Sequence, residues 1–77
     1  MRIEETYYGD YRVFDEMPFD LNALSRAEHK IAHGFNAEVG NWPITIDFNE
    51  QTGYWEVWFT RPVSDEDYIN RIGLASD

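Results

Sequence analysis

Residues 43–59 decide the fold, and they read Pro43-Ile44-Thr45-Ile46-Asp47-Phe48-Asn49-Glu50-Gln51-Thr52-Gly53-Tyr54-Trp55-Glu56-Val57-Trp58-Phe59. Apolar and polar side chains alternate before and after a five-residue loop, Asn49 to Gly53. Alternation of this kind is typical of a half-buried β-hairpin, because successive side chains of a strand point to opposite faces of the sheet. A loop of this length that contains glycine is within the range seen in hairpins.

This alternation divides the side chains of the hairpin between two faces. The face that we expect to turn toward the core carries Ile44, Ile46, Phe48, Trp55, Val57 and Phe59. The opposite face carries Thr45, Asp47, Tyr54, Glu56 and Trp58. Large aromatic side chains among carboxylates, on the face away from the core, are typical of a protein-binding surface. The alternative is that a C-terminal helix or a second copy of the chain covers Trp58, since buried aromatic residues are common.

An earlier hairpin is predicted over residues 2–16. Gly9 and Asp10 lie between aromatic and β-branched residues, which favours a two-residue type II′ turn. Pro18 then ends the second strand, because proline cannot donate a hydrogen bond to the sheet.

The segment from Asp20 to Asn36 is the clearest helix. Apolar residues recur at steps of three and four, as one buried stripe requires: Leu21, Leu24, Ala27, Ile31, Ala32 and Phe35. Two starts compete, since Asp20 can cap the whole segment, whereas Ser25 and Glu28 can form a capping box. The opposite side of the helix carries basic residues, namely Arg26, His29, Lys30 and His33.

The pair His29 and His33 has the i, i+4 spacing that can hold a metal ion. The pair lacks the glutamate of the zinc-protease motif, and no third ligand is evident, so we expect a solvated basic face with no metal. The sequence also shows no nucleophile elbow and no phosphate-binding glycine loop. We therefore expect neither an enzyme nor a cofactor.

A short C-terminal helix is predicted from Ser64 to about Gly73. Ser64 suits the N-cap, and Asp65, Glu66 and Asp67 suit the first turn, where the helix dipole favours negative charge. The element order ββ-α-ββ-α predicts a two-layer α+β fold, with an antiparallel sheet of about four strands and helices on one face.

The composition describes a small, strongly acidic protein. The chain has 77 residues, no cysteine and a net charge of −9 from 15 acidic and 6 basic side chains. The lack of cysteine excludes disulfide stapling and thiolate chemistry. No signal segment or long apolar run is present. We therefore expect one cytoplasmic domain over residues 1–77, with no contact with membranes.

The charge predicts the class of partner. An acidic surface repels nucleic acid and attracts basic surfaces, which nucleic-acid-binding proteins commonly carry. We therefore expect an inhibitor or adaptor that occupies such a surface through these residues: Asp47, Glu50, Tyr54, Glu56, Trp58, Asp65, Glu66 and Asp67. For residues 65–67, plain helix capping is the simpler interpretation.

Spaced carboxylates could imitate nucleic acid, since the rise per strand residue is close to the phosphate spacing of about 3.4 Å in a DNA strand. Phages use mimics of this kind against restriction or CRISPR defence, and toxin immunity proteins fit the same physics. The alternative function is a structural or assembly subunit, in which Tyr54 and Trp58 become buried in a homodimer or a larger homo-oligomer.

Overall fold

The four strands of the protein form one antiparallel sheet. The structure is a computed structural model, and it describes residues 1–62. Its elements are β1 (Arg2–Glu5), β2 (Tyr11–Asp15), α1 (Leu21–Phe35), β3 (Ile44–Asn49) and β4 (Tyr54–Phe59). The strand order across the sheet is β1-β2-β4-β3. The predicted α+β class and ββ-α-ββ order are confirmed, and the predicted C-terminal helix lies outside the described residues.

The core lies between α1 and the two central strands. Val13 pairs with Val57, and Tyr11 pairs with Phe59, so apolar side chains of β2 and β4 meet on one face. The buried cluster contains Tyr11, Val13, Ala27, Ile31, Val39, Val57 and Phe59. From α1, the small Ala27 and the larger Ile31 one turn later are both completely buried in this cluster. Partly buried Trp42 stacks on Tyr11, with 5.8 Å between ring centroids.

Asp20 is the N-cap of α1, which confirms one of the two predicted starts of the helix. Its Oδ1 accepts a hydrogen bond of 2.7 Å from the Ala23 N–H, which satisfies a donor that the first helical turn leaves free. Ser25 therefore lies within the helix and is not its cap. At the other end, Asn36 adopts a left-handed conformation (φ 56°) and ends the helix.

The buried stripe of α1 differs from the prediction at both ends. In the last turn, the predicted Phe35 is 38% exposed, although its ring contacts that of Tyr11 with 5.1 Å between centroids. Ala23, Ala27 and Ile31, at four-residue steps, are the buried residues. Leu21 is 83% exposed, so its predicted place in the core was wrong. It lies two residues before Ala23, which is about 200° around a helix of 3.6 residues per turn.

The turn of the first hairpin also differs from the prediction. The Thr6 N–H donates to the Asp10 carbonyl (2.8 Å), and the Gly9 N–H donates to the Thr6 carbonyl (3.0 Å). Gly9 has φ 84°. The loop is therefore a three-residue turn over residues 7–9 whose last residue is left-handed, and the predicted two-residue type II′ turn was wrong.

The end of β4 fixes the position of this loop. The Arg61 N–H donates to Asp10 Oδ1 at 2.7 Å, and Arg61 Nε donates to the Tyr8 carbonyl at 2.9 Å. These two bonds place the loop of the first hairpin against Arg61, two residues beyond the end of β4.

The helix covers the strands unequally. Val57 and Phe59 of β4 are fully buried, whereas Ile44, Ile46 and Phe48 of the neighbouring edge strand β3 are 38%, 41% and 48% exposed. We call these three β3 residues the β3 strip. Trp55 is half-buried and contacts Phe48, with 5.2 Å between ring centroids. The predicted alternation of the second hairpin is thus confirmed, but the apolar side chains that it turns toward the helix side are not buried on β3.

Replacing Phe59 with alanine should destabilise the protein by about 3–5 kcal/mol, because the side chain is completely buried and its removal leaves a cavity. The matched control is Phe48→Ala, which removes the same atoms from a side chain about half exposed on β3 and should cost about 1 kcal/mol or less. Urea denaturation of both variants measures the difference. Equal losses would show that β3 is covered as fully as β4.

The stability of the protein should fall as the pH rises above 10. Burial raises the pKa of Tyr11 above its usual value of 10.0, and the hydrogen bond to Glu5 raises this pKa further. The folded state therefore holds this proton more tightly, so the stabilisation is complete below pH 10 and is lost as the pH passes the raised pKa. Tyr11→Phe should show a shallower decline in denaturation measured across this range. An unchanged slope would contradict the assignment.

Candidate functional site

The face of the sheet opposite α1 carries the predicted binding residues of the second hairpin. We call it the outer face. Its members on the four strands are Arg2, Glu4, Arg12, Phe14, Thr45, Asp47, Asn49, Tyr54, Glu56 and Trp58. Across the sheet, Trp58 lies between Arg12 and Thr45, and Glu56 lies between Phe14 and Asp47. Within residues 1–62, no helix packs on this face.

An ion pair occupies the centre of the outer face. Arg12 Nη2 donates to Glu56 Oε1 at 2.8 Å. Glu56 is only 7% exposed, although it lies on the face away from α1. A carboxylate that has lost most of its water needs a charged hydrogen-bond partner, and Arg12 supplies it.

Two aromatic rings contact the guanidinium group of Arg12. It lies over the rings of Phe14 and Trp58, at 4.6 Å from each centroid. The guanidinium group of Arg2 lies over Phe14 as well, at 4.4 Å. Stacking of this kind suits arginine, whose planar cation is weakly hydrated. The outer face is therefore built around a packed cluster of Arg2, Arg12, Phe14, Glu56 and Trp58.

This cluster changes the availability of two predicted binding residues. The carboxylate of Glu56 is turned into the cluster, and its charge is balanced by Arg12. Trp58 is half-buried, with one side of its ring against Arg12. The sequence analysis missed the two arginines. Alternation in β2 could have placed Arg12 on the outer face, since its neighbours Tyr11 and Val13 both belong to the core.

Three other predicted residues are exposed at the loop end of the hairpin. Asp47, Glu50 and Tyr54 are all solvent-accessible. The Tyr54 hydroxyl donates to Glu16 Oε1 at 3.4 Å, which orients the ring. Asn49 Oδ1 accepts from the N–H groups of Gln51 (3.0 Å) and Thr52 (3.3 Å), so the loop that presents Glu50 is held by its own hydrogen bonds. The predicted residues Asp65, Glu66 and Asp67 lie outside the described residues.

Two shallow clefts border the cluster. One, of about 370 Å³, is lined by Met1, Arg2, Phe14, Asp15, Glu16, Met17 and Tyr54. The other, of about 430 Å³, is lined by Arg2, Glu4, Arg12, Phe14, Asn49, Thr52, Tyr54 and Glu56. Both combine arginine with carboxylate side chains. Such mixed linings suit the side chains of a protein partner better than a ligand of a single charge sign.

The histidine pair of α1 lies on the side of the helix that faces away from the sheet. His29 and His33 are exposed, and their ring centroids are 4.2 Å apart. In the part of the chain that the structure describes, no group of three or more histidine, aspartate or glutamate side chains could hold a metal ion.

Comparison with known proteins assigns no function to the outer face. No protein-family model matches the chain, and neither the curated proteins nor the solved structures gave a significant match. Over residues 1–62, the protein has no helix with the length and apolar character needed to cross a membrane. Function is therefore inferred from the charge and geometry of the chain itself.

Removing Arg12 should be strongly destabilising. Arg12→Met keeps the apolar stem but leaves the Glu56 carboxylate buried without its partner, which should cost about 3 kcal/mol. The double variant Arg12→Met/Glu56→Met should recover most of this loss, because no buried charge remains. Arg2→Met is the control, since its ion pair with Glu4 is exposed and 3.8 Å long, and it should cost about 1 kcal/mol or less. Denaturation free energies that simply add in the double variant would contradict the pairing.

Proposed function

We propose that this protein is a small acidic inhibitor or adaptor that binds a basic surface of a nucleic-acid-binding protein through its β3–β4 hairpin. The observation that carries this proposal is the distribution of charge. Residues 36–60 contain no lysine or arginine. The hairpin within this stretch exposes Asp47 and Glu50 beside the half-exposed ring of Tyr54.

The exposed carboxylates and the partly buried aromatic rings have different roles in this proposal. Exposed carboxylates such as Asp47 and Glu50 accelerate encounter with a basic partner, because their field reaches through solvent. Tyr54 and the half-buried Trp58 supply flat aromatic surface, which slows dissociation once water is excluded. The ring of Trp58 is already held by Arg12, so little side-chain freedom is lost on binding.

The finer form of the proposal is that the hairpin imitates nucleic acid. Asp47 and Glu50 would stand in for phosphates, and Asp65, Glu66 and Asp67 would extend the series. Glu56 would act indirectly, since its pairing with Arg12 fixes the surface from which Trp58 projects. The net charge of −9 supports a protein partner and opposes direct binding of DNA or RNA. An action of this kind needs no catalysis and no cofactor, and it places the protein in the cytoplasm with its target.

The proposal is tested with a panel of purified restriction endonucleases and RNA-guided nucleases, with DNA cleavage as the readout. We expect the protein to inhibit at least one of them, more weakly as salt rises and as competing duplex DNA is added. The variant Asp47→Asn/Glu50→Gln should slow association about tenfold. The control Glu28→Gln/Glu38→Gln removes the same charge from α1 and the segment after it and should leave association nearly unchanged.

Two further results decide the assignment of roles. Trp58→Ala should mainly raise the dissociation rate, provided that circular dichroism shows the variant to be folded. Inhibition that the two charge variants reduce equally would attribute the effect to net charge and remove the hairpin from the proposal. A panel with no inhibited member, or an inhibition that duplex DNA fails to relieve, would end the mimic interpretation.

A further inference from the structure

The edge strand β3 has backbone groups that point away from the sheet at alternate residues. The Thr60 N–H donates to the Pro43 carbonyl at 3.0 Å, and the register continues from this pair along both strands. In an antiparallel ladder, residues at alternate positions direct both backbone groups at the neighbouring strand, and those between direct theirs outward. Thr45 and Asp47 therefore bond to β4, whereas the β3 strip, Ile44, Ile46 and Phe48, directs its N–H and C=O groups outward.

The same three residues carry exposed apolar side chains. The β3 strip lies on the helix side of the sheet, where α1 does not cover it, and each of its side chains is 38–48% exposed. Natural proteins protect edge strands with charges, proline, bulges or short length. β3 is six residues long, pairs with β4 without a bulge, and directs its one charged side chain, Asp47, to the outer face. Within residues 1–62, nothing along the strip itself opposes the addition of another strand.

We infer that β3 pairs with β3 of a second copy of this chain, in antiparallel orientation about a two-fold axis at Ile46. Ile46 then faces Ile46 of the second copy, and Ile44 faces Phe48 of that copy. All three facing pairs join residues with outward backbone groups, so the strands form about six new hydrogen bonds. The six apolar side chains of the two strips come together on one face, and the two sheets become one of eight strands.

The other symmetric registers are less favourable. A shift that centres the axis on Asp47 places two like charges directly opposite each other, which is destabilising. A shift that centres it on Thr45 leaves Phe48 facing Trp42, outside the strand, and shortens the ladder. A register shifted by a single residue places the β3 strip opposite residues whose backbone groups already bond to β4. Only the register centred on Ile46 uses the whole strip and places each Asp47 opposite a Thr45.

A second copy fits this edge better than a strand of a basic partner does. The β3 strip is uncharged, so it offers nothing that would select lysine or arginine, whereas its pattern is complementary to itself about Ile46. The opposing force is the repulsion between two chains of net charge −9. Salt screens this repulsion, so dimerisation should strengthen with salt, whereas binding of a basic partner should weaken. The two proposals can therefore fail separately.

Analytical ultracentrifugation of the wild-type chain, over a range of protein and salt concentrations, tests the inference. We expect a monomer–dimer equilibrium that shifts toward the dimer as either concentration rises. Ile46→Lys places two ammonium groups opposite each other at the axis and should weaken the dimer at least tenfold. The matched control, Thr45→Lys, adds the same charge at the residue before Ile46, whose side chain lies on the outer face. There it faces Asp47 of the second copy, so the dimer should persist or tighten.

Amide hydrogen exchange on the wild-type chain gives an answer even if a variant does not fold. The N–H groups of Ile44, Ile46 and Phe48 should exchange more slowly as the protein concentration rises, whereas those of Thr45 and Asp47 are bonded to β4 at every concentration. A monomeric mass at all concentrations would overturn the inference, as would concentration-independent exchange of the three amides. Equal weakening by Thr45→Lys and Ile46→Lys would overturn it too, and so would a dimer that Trp58→Ala abolishes and Ile46→Lys leaves intact.

Discussion

The pairing of β2 with β4 joins the two hairpins into one sheet, and the rest of the molecule depends on its register. In the observed register, Val13 of β2 faces Val57 of β4 beneath α1. A slip of β4 by one residue against β2 would turn Glu56 toward the helix and Val57 toward the outer face. The hydrogen-bonded pair of Arg12 and Glu56 spans the same two strands, so the ion pair on one face and the apolar core on the other favour the same alignment.

The position of α1 over this central pair then determines which surfaces remain accessible. Ala27 and Ile31 of α1 share one buried cluster with Tyr11 and Val13 of β2 and with Val57 and Phe59 of β4. One helix of about 10 Å diameter cannot also cover an edge strand two positions from β2, given the spacing of about 4.8 Å between strands. The exposure of the β3 strip thus follows from the lateral position of the helix over the centre of the sheet.

Local patterns in the sequence identified most of the elements but not the contacts between them. The alternation in residues 43–59 and the cap at Asp20 were recognised because each depends on neighbouring residues only. Leu21 was placed in the core because it continues the three- and four-residue steps of the apolar pattern, whereas the structure buries Ala23 in that turn. The first turn was assigned to the wrong type because Gly9 is compatible with left-handed backbone at either end of a short loop.

The candidate site was less predictable than the fold for a similar reason. Glu56 was interpreted as a free surface charge, and its buried pairing with Arg12 joins residues 44 positions apart in the chain. No short-range pattern reports such a pair, since it follows from the order of strands in the sheet. The exposed positions Asp47, Glu50 and Tyr54 needed only the alternation and the loop, so the sequence placed them correctly.

The contact between the first loop and Arg61 constrains how this sequence can change over evolutionary time. A side chain at position 9 would have to adopt φ near +84°, and its Cβ would lie 2.9 Å from Arg61 Nε. A lineage that replaces Gly9 must therefore let the Arg61 side chain move away, and with it lose the hydrogen bond to the Tyr8 carbonyl. Although positions 9 and 61 are distant in sequence, the residue at position 61 is therefore under less constraint once Gly9 has been replaced.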